Sequence, residues 1–464
     1  DYYASRGLGD VYKRQLYTLT QQDVINQSIH YDAVAYGGWA IDLHPADGVY
    51  AGGNGCHQWH SKGVYQIPYR CYVTPDLDNL FVGGRIISSS HVANGTTRVM
   101  CTSALGGEVI GRAASICLSK GYKPIDLVDR DRIGLLQSLL VKNGNFIPGI
   151  AVAVEDNLAD SAEISVSSVL ELDDLPADGT WFGLDYPIAQ LIPVNGKVPV
   201  VRMNVKADNA TRLVMELRSS SKSENYTPDT IDAVLEFDLK KDENEIVADF
   251  SYSYATPRYA FICLMKNPEI SVPMSGRLVT GLTAVYNYIN PAVSNFGKQV
   301  PPEGIGVEEF EFWCPKRRPE SKNIAMSFAP PLASFNSENL RNSYYRPYIG
   351  TNAWVAAFDD ARPEVCFKWN GRKQIKTIIL YFDTDTDQAM ETVQMGHFDA
   401  CVPTCYREYI VRDSVGKELY HITGNHQTLN VLELDQPVTT DAIYVNFVRP
   451  CGDVCPGLMG VYVC

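Results

Sequence analysis

The sequence lacks the features that would point to a membrane or to nucleic acid. No apolar run approaches the roughly 18 residues of a membrane-spanning helix. Positive charge is also scarce, because 40 Lys and Arg residues stand against 54 Asp and Glu residues and leave a formal charge of −14. An acidic chain is a poor match for a polyanion, so we expect no nucleic-acid partner and no membrane span.

No signal-peptide pattern opens the chain, and its first residue is Asp1 rather than Met. The first 15 residues, DYYASRGLGDVYKRQ, carry no periodicity that leads into the next segment. They resemble translated adapter sequence at the end of an assembled read, and a genuine disordered tail is the alternative. We therefore predict that residues 1–15 are a non-native leader and that the true N-terminus lies outside the sequence.

Cysteine is too sparse, at 12 residues, for a disulfide scaffold. No CxxC occurs, which excludes the usual spacing of zinc ribbons and iron–sulfur clusters. Cys56, His57 and His60 share one loop, but a tetrahedral site needs a fourth ligand. We therefore predict a surface loop there and no metal.

Two spacings near the C-terminus leave their chemistry open. CxxxC occurs at Cys401/Cys405 and again at Cys451/Cys455, which fits disulfides between the two in an exported protein, a four-thiolate zinc site, or free buried thiols. The run DTDTDQAME at residues 383–391 is either a calcium-binding loop or a solvated acidic turn.

The composition changes along the chain and divides it into parts. Residues 16–149 mix helical and strand patterns, whereas residues 150–305 and 308–464 show one short alternating strand after another, separated by turn signals. We predict an α+β multidomain chain, in which an α/β part precedes two antiparallel β-sandwich domains, the last of them a jelly roll. The predicted elements of the first part are helices over residues 17–29, from Thr97 to about Ser119 and within 124–142, and strands over 64–73 and 80–82.

The stretch Asn79–Cys117 carries the strongest local signal. It reads as a short strand ending in Gly83-Gly84, a polar loop, and a long helix that contains three glycines. The glycines indicate either tight packing on a sheet or a ligand close to the helix backbone. The free N–H groups at the start of the helix, those of Arg98, Val99 and Met100, are predicted to face a carbonyl or phosphate of a ligand.

The run YQIPYRCYVTPDLDNLFVGGRIISSSHVANGTTRVMCTSALGG closely resembles the C-terminal part of a family of FAD-dependent oxidoreductases related to the A subunit of heterodisulfide reductase. The resemblance extends over about residues 31–145. It implies that FAD is the cofactor and that hydride passes between an organic substrate and the flavin. It also implies that Gly83, Gly84 and Arg85 lie against the phosphate–ribityl region, and that Arg98, Val99 and Met100 lie at the pyrimidine edge of the flavin.

Such a site also needs a proton donor and a cation that orients an oxygen-bearing substrate. His44, His91 and Arg70 are the predicted catalytic residues, with Tyr65 and Arg98 as further candidates. Each has a structural alternative, since a lone histidine is more often structural and Arg70 has Asp76 and Asp78 nearby in sequence as ion-pair partners.

The sequence departs from this family at the N-terminal side. A strand, a GxGxxG turn and an acidic residue should precede the matching segment, and no GxGxxG occurs. The chain is therefore predicted to be a fragment that lacks the N-terminal half of its FAD site. The oxidoreductase activity is expected of the parent protein.

The last region, from about residue 323, resembles galactose-binding-like modules attached to these oxidoreductases, through GHFDACVPTCYREY and GNHQTLNVLEL. The resemblance implies loops that bind sugars or proteins, a carbohydrate-related substrate, and an exported parent protein, periplasmic or extracellular. A non-catalytic carbohydrate- or protein-binding fragment is the alternative function. The residues available for binding are Trp354, Trp369, His397, Asn425, His426 and Gln427, with both tryptophans favoured as core residues.

Overall fold

The computed structural model describes residues 15–52, 55–151, 156–288, 297–301, 303, 306–315, 322–384 and 404–464. The chain divides into two compact units. The first unit contains the described residues up to 151 and the segment 297–312, and the second contains residues 156–288 and those from Trp313 onward. Among the described residues, no helix has both the length and the apolar character needed to cross a bilayer.

The first unit is a mixture of helices and short antiparallel strand pairs. The elements of this unit are α1 (Gln21–Asn26), β1 (Ala33–Gly37), β2 (Ile41–Leu43), β3 (His57–Trp59), β4 (Tyr65–Pro68), α2 (His91–Thr97), α3 (Met100–Lys120), α4 (Arg130–Lys142), β16 (Gly297–Gln299) and β17 (Phe310–Phe312). Strand β1 pairs with β4, β2 with β3, and β16 with β17.

The helix ends follow the sequence signals. Thr20 caps α1 with a capping box, in which its hydroxyl accepts from the Asp23 N–H and the Asp23 carboxylate accepts from the Thr20 N–H. Helix α3 ends at Gly121, whose φ of +68° is the left-handed conformation that glycine adopts without cost. The three predicted helices are therefore confirmed, α4 with a short 3-10 turn ahead of it at Pro124–Val128.

Four local predictions in the first unit were wrong. The predicted surface loop at residues 56–60 contains strand β3, which pairs with β2, and His60 is buried. The predicted strand 80–82 is only an isolated bridge between Val73 and Phe81, and Leu80 is exposed where a buried strand was expected. The predicted strand 64–73 ends at Pro68 and continues as the 3-10 turn Tyr69–Cys71. The polar loop expected after Gly84 contains helix α2, whose N-cap Ser90 accepts a hydrogen bond from the Ala93 N–H.

A buried ion pair lies at the centre of the first unit. Asp32 is fully buried and receives both Nε (3.0 Å) and Nη2 (3.1 Å) of Arg70, together with the Arg70 backbone N–H at 3.0 Å. The guanidinium also lies 4.9 Å from the Tyr17 ring centroid and 5.0 Å from that of Tyr31, within cation–π range. Arg70 therefore joins the turn after β4 to the segment before β1.

The described residues between 297 and 312 belong to the first unit, although they are separated from the rest of it in sequence by residues 156–288 of the second unit. The ring of Phe312 stacks on that of His60 with centroids 4.0 Å apart. Lys62 Nζ forms an ion pair with Glu308 at 2.8 Å. Since His60 is buried, burial lowers the pKa of its imidazole to about 4.

The second unit begins with two antiparallel sheets. Their strands are β6 (Leu172–Leu175), β7 (Trp181–Leu184), β8 (Ile188–Val194), β9 (Val200–Ala207), β10 (Thr211–Ser219), β11 (Thr230–Leu239), β12 (Asp242–Ala248), β13 (Arg258–Leu264), β14 (Asn267–Ser275), β15 (Ala284–Tyr286), β18 (Cys314–Pro315), β19 (Asn323–Ile324) and β20 (Met326–Leu332). One sheet has the strand order β11-β10-β13-β8-β15-β18, and the other has the order β19-β14-β9-β20-β6, with β12 on β9 and β7 on β14. Gln190 of β8 links the two sheets, because its amide accepts from the Ile324 N–H and donates to the Asn323 side chain of β19.

The last sheet of the second unit has the order β21-β26-β22-β25-β23-β24, with β5 on β22. Its core contains Trp354, Trp369, Phe367 and Tyr409. The sheet consists of β5 (Glu163–Val166), β21 (Trp354–Val355), β22 (Glu364–Phe382), β23 (Tyr406–Asp413), β24 (Glu418–Thr423), β25 (Leu429–Pro450) and β26 (Gly457–Val463). All three sheets are antiparallel, so the predicted class, an α/β part followed by antiparallel sandwiches, is confirmed.

The strand pairing crosses the predicted boundaries between the two β-rich regions. Strand β5 lies within residues 150–305 but pairs with β22 of the last sheet. Conversely, β18, β19 and β20 lie after residue 308 and pair with β15, β14 and β9. Each predicted β-rich region therefore contributes at least one strand to a sheet whose other strands come mainly from the other region.

Candidate functional site

The N-terminus of helix α3 is open. Val99 is its N-cap and makes no side-chain cap, and the side chain of Met100 at the first helical position is 87% exposed. The prediction that the Arg98 N–H is free was wrong, because that N–H donates to the Asn94 carbonyl at the end of α2 at 3.3 Å. The N–H groups without a partner inside α3 are those of the N-cap Val99 and of Met100, Cys101 and Thr102.

Asp42 brings two of the predicted residues together beside this helix end. Arg98 Nη2 donates to the Asp42 backbone carbonyl at 3.2 Å and lies 3.9 Å from its carboxylate. His44 Nε2 lies 3.7 Å from Asp42 Oδ1, and His44 Nδ1 lies 3.0 Å from the Gly55 carbonyl oxygen. Asp42 Oδ1 is buried and has no hydrogen-bond partner within the described residues.

Helix α2 fixes this arrangement through two close contacts. A Cβ on Gly95 would lie 3.0 Å from the Asp42 carbonyl oxygen, so only glycine allows α2 to approach β2 this closely. The Thr96 hydroxyl donates to the Trp39 carbonyl at 2.6 Å. The backbone of α2 therefore holds β2, and with it the Asp42 carbonyl that receives Arg98.

The glycine pair lies against the middle of α3, and its arginine is exposed. A Cβ on Gly83 would lie 2.3 Å from Cδ1 of Ile110, which explains glycine there. Gly84 has a φ of +68°, and Arg85 belongs to the 3-10 turn Gly84–Ile86. Ile110 is ten residues beyond Met100, so the turn lies roughly 15 Å along the helix from its N-terminus at 1.5 Å per residue.

The three glycines inside α3 fall into two groups: one is tightly packed, and two leave space beside the helix backbone. Gly106 is tightly packed, since an added Cβ would lie 2.9 Å from Cε1 of the buried Tyr72. Gly107 and Gly111 are exposed, and an added Cβ would have no neighbour within 4 Å among the described residues. One glycine therefore serves packing and two leave an open face beside the Gly83–Arg85 turn.

The other predicted catalytic residues do not join this group. His91 is exposed at the first position of α2. Arg70 is committed to Asp32, which replaces the predicted pairing with Asp76 or Asp78. Tyr65 is buried with its hydroxyl 2.9 Å from that of Thr96, and burial raises the pKa of its phenol.

From the sequence, Asp42 was missed and Cys56 was considered only as a metal ligand. Asp42 lies two residues before His44 in the IDLHP segment, and that i, i+2 spacing on a short strand was the available signal. Burial raises the pKa of the Cys56 thiol, and the Asp42 carboxylate raises it further. No group of three or more metal-ligating side chains converges within the described residues.

Three of the six predicted sugar-binding residues in the last region are structural. Trp354 and Trp369 are buried, and their indole N–H groups donate to the carbonyls of Ser168 (2.9 Å) and Leu158 (2.7 Å), which confirms the core interpretation. Asn425 is buried, and its amide donates to the Tyr406 carbonyl. His426 and Gln427 are exposed, and His397 lies outside the described residues.

The cysteine alternatives are partly settled. Cys451 is disulfide-bonded, whereas Cys405 and Cys455 are free thiols. Cys401 and residues 385–391 of the acidic run lie outside the described residues. Asp383, at the start of that run, is buried and accepts a hydrogen bond from the Thr280 hydroxyl at 2.8 Å.

Comparison with protein families identifies one match: the model described as FAD dependent oxidoreductase matches residues 14–140. This range includes the Asp42 group, the Gly83–Arg85 turn and the whole of α3. The resemblance read from the sequence is therefore supported at the level of the family. A search of curated proteins found no match.

Solved structures similar to this chain include carbohydrate-binding modules, each at low identity. A family 32 module from Streptococcus pneumoniae EndoD is 11% identical, with 28% of this chain and 86% of the module covered and a TM-score of 0.22. A family 32 module from C. perfringens NanJ, solved with galactose, is 11% identical, with 29% and 83% covered and a TM-score of 0.19. A chitosan-binding module from Paenibacillus sp. IK-5 is 11% identical, with 28% and 86% covered and a TM-score of 0.21. These TM-scores are too low to support a statement about ligand.

Proposed function

We propose that residues 16–149 are the C-terminal part of an FAD-dependent oxidoreductase domain of the heterodisulfide reductase A-like kind. The protein that carries this domain transfers a hydride between a hydroxylated, carbohydrate-related organic substrate and FAD. The observation that carries the proposal is the family match over residues 14–140. The dinucleotide-binding half of the site is supplied by a segment with the GxGxxG motif, which this sequence does not contain.

The open end of α3 supports flavin binding on physical grounds. Helix α3 has 21 residues and no side-chain N-cap, so its first N–H groups and its dipole favour negative charge at that end. When bound, FAD supplies the hydride-accepting ring and carries negative charge once it is reduced. Gly107 lies between this end and the level of the Gly83–Arg85 turn, and it leaves the helix surface clear there, which suits an extended dinucleotide.

Residues of this chain would then supply the positive charge and the proton acceptor of the site. Arg98 holds the first turn of α3 through the Asp42 carbonyl and brings a positive charge to the same end. His44 is half exposed, and its Nδ1 lies against the Gly55 carbonyl oxygen, which can only accept, so Nδ1 carries the ring proton of the neutral imidazole. Nε2, which lies near the Asp42 carboxylate, can then accept a proton from a substrate hydroxyl. His91 and Arg85 are exposed and are kept as secondary binding candidates.

The test compares two arginines in the protein that contains this chain together with its dinucleotide-binding segment. Arg98→Ala should weaken FAD affinity or slow flavin reduction at least tenfold, because it removes a charge beside the reduced flavin. Arg112→Ala is the matched control, since Arg112 lies on α3 with an exposure similar to that of Arg98, and within the described residues its only ion-pair partner is Glu108. Flavin absorbance and its bleaching under anaerobic substrate give both quantities.

Two results would contradict the proposal. A protein that is folded by circular dichroism and binds no flavin would exclude the oxidoreductase reading. Equal reduction rates in the Arg98→Ala and wild-type proteins would exclude the role of Arg98. In the first case the alternative, a non-catalytic carbohydrate- or protein-binding chain, would stand.

A further inference from the structure

A fork in the second sheet of the second unit creates a cavity that the proposed flavin chemistry does not use. Strand β12 pairs along one edge of β9 from Val201 to Ala207. The opposite edge is shared, with β20 paired to residues 200–202 and β14 paired to residues 206–207. Within the described residues no strand pairs with 203–205 along that edge, so β14 and β20 diverge there.

The cavity at this fork has a volume of about 400 Å³, which lies in the range of small-molecule sites. Its far end is closed where the Ala325 N–H donates to the Pro273 carbonyl at 2.9 Å. The lining is part apolar and part polar. The side chains used below are Asp174, Trp181, Arg202, Asn204, Glu243 and Glu245.

Trp181 gives the cavity an aromatic wall. Its side chain is 38% exposed, although tryptophan is usually well buried. Lys206, which does not line the cavity, has its Nζ 4.1 Å from the centroid of the indole ring. Lys206 is itself held by Glu243 at 3.4 Å. The indole is thus supported by a cation–π contact while part of its surface faces the cavity.

Three hydrogen-bonding side chains line the cavity together with Trp181. The side chains of Arg202, Asn204 and Glu245 make no hydrogen bond or ion pair to other described residues. Cross-strand pairing places Glu245 opposite Asn204, and places Ser327 opposite both Arg202 and Asp174. Because directly paired residues project to the same face of a sheet, these groups form a continuous polar row beside the indole.

The charges limit the ligand. Three carboxylates, those of Asp174, Glu243 and Glu245, line the cavity with one guanidinium, that of Arg202. Because Lys206 pairs with Glu243, Asp174 and Glu245 are the carboxylates that outnumber the remaining positive charge. Burial raises the pKa of the Asp174 carboxyl, and this effect outweighs the opposing effect of Arg277. A ligand with its own carboxylate or sulfate would meet repulsion here, whereas hydroxyls and an ammonium group would find acceptors.

We propose that this fork is a saccharide-binding cleft, in which Trp181 packs on the apolar face of a neutral or amine-bearing sugar ring while Arg202, Asn204 and Glu245 bind its polar groups. An apolar ring face with outward hydroxyls matches an aromatic wall bordered by charged and amide groups. The cleft would hold a glycan on the protein independently of flavin. Failure of the flavin experiment therefore leaves this proposal standing, and the reverse is also true.

The experiment is calorimetric titration of the full chain with three defined probes: a neutral galacto-oligosaccharide, a chito-oligosaccharide with free amines, and an oligogalacturonate. Binding of the neutral or amine-bearing probe, with the acidic probe at least tenfold weaker, is the expected result. Trp181→Ala should weaken that binding at least tenfold. Trp39→Ala is the matched control, because Trp39 has the same 38% exposure and belongs to the first unit.

Three outcomes would overturn the proposal. They are no binding of the neutral and the amine-bearing probes, preference for the acidic probe, and unchanged affinity in Trp181→Ala. The last outcome would locate the sugar at another surface, such as the loop of His426 and Gln427. If Trp181→Ala fails to fold, Asn204→Ala and Glu245→Ala decide the matter, since both side chains are exposed and make no other described contacts, and unchanged affinity in both would refute the cleft.

Discussion

Removing the guanidinium of Arg70 should destabilise the first unit strongly, although the sequence marked this residue as catalytic. In Arg70→Met, the fully buried Asp32 carboxylate keeps only the backbone N–H of residue 70 as a partner. Breaking one side of a buried ion pair typically costs about 3–5 kcal/mol. The surface pair of Arg112 with Glu108, four residues apart on α3, supplies the comparison, and Arg112→Met should cost only about 0.3–0.5 kcal/mol.

A double variant separates the missing charge from the missing contacts. In Arg70→Met with Asp32→Leu, no buried charge is left, but the residue 70 N–H loses its acceptor, at a cost of about 1–3 kcal/mol. The double variant should therefore be more stable than Arg70→Met alone. This ordering is expected only if the buried carboxylate is the source of the loss.

Native-state hydrogen exchange is the appropriate assay, because a chain with two compact units need not unfold in one step. Exchange is followed by mass spectrometry in peptides that cover β1 and β4, with β22 of the second unit as the internal reference. Arg70→Met should accelerate exchange in β1 and β4 and leave β22 unchanged. Loss of less than about 1 kcal/mol, or a double variant less stable than the single one, would refute the reasoning.

Two further predictions concern the same unit. The pKa of buried His60 is lowered to about 4, so the unfolded state binds a proton at a higher pH than the folded state does. The free energy of unfolding should therefore fall by roughly 3 kcal/mol as the pH drops from 6.5 to 4. The same exchange assay should show no such fall in His60→Gln, and an equal fall in both proteins would refute the prediction. Gly106→Ala should destabilise the first unit by about 1–3 kcal/mol, because Tyr72 occupies the space that the added methyl group would need. Gly107→Ala should stabilise it by up to about 1 kcal/mol. The same exchange assay, followed in peptides of α3, measures both changes, and equal effects would contradict the packing of Gly106 on Tyr72.

Local signals predicted the long helices but not α2. Helix α3 was recognisable because its apolar pattern ends at Gly121, whose left-handed conformation stops it. The α2 sequence HVANGTT consists mostly of residues with weak helix propensity. Its helix is held by tertiary contacts, namely Gly95 on the Asp42 backbone and Thr96 on the Trp39 carbonyl. Such contacts have no signature in a window of seven residues.

Contacts between residues that are distant in sequence also explain which parts of the candidate site were not predicted. The sequence named Arg98 and His44 but missed Asp42, because only the folded chain shows that both approach it. For Arg70 the sequence offered the nearby Asp76 and Asp78, whereas the true partner, Asp32, is 38 residues away. The Trp181 cleft could not be predicted from the sequence, because it lies where β14 and β20 separate along β9. The alternation of polar and apolar residues predicts that a strand forms, but not which strands pair with it.

The pairing of β5 with β22 has a consequence for folding during synthesis. Residue 166 pairs with residue 365, so β5 leaves the ribosome about 200 residues before its partner. At 5–20 residues per second this interval is roughly 10–40 s. During that time β5 has neither its hydrogen-bond partner nor the core of the last sheet, and β9 likewise waits for β20. Ribosome-bound chains arrested before residue 365 should therefore expose unpaired strand edges, which are sites for chaperone binding.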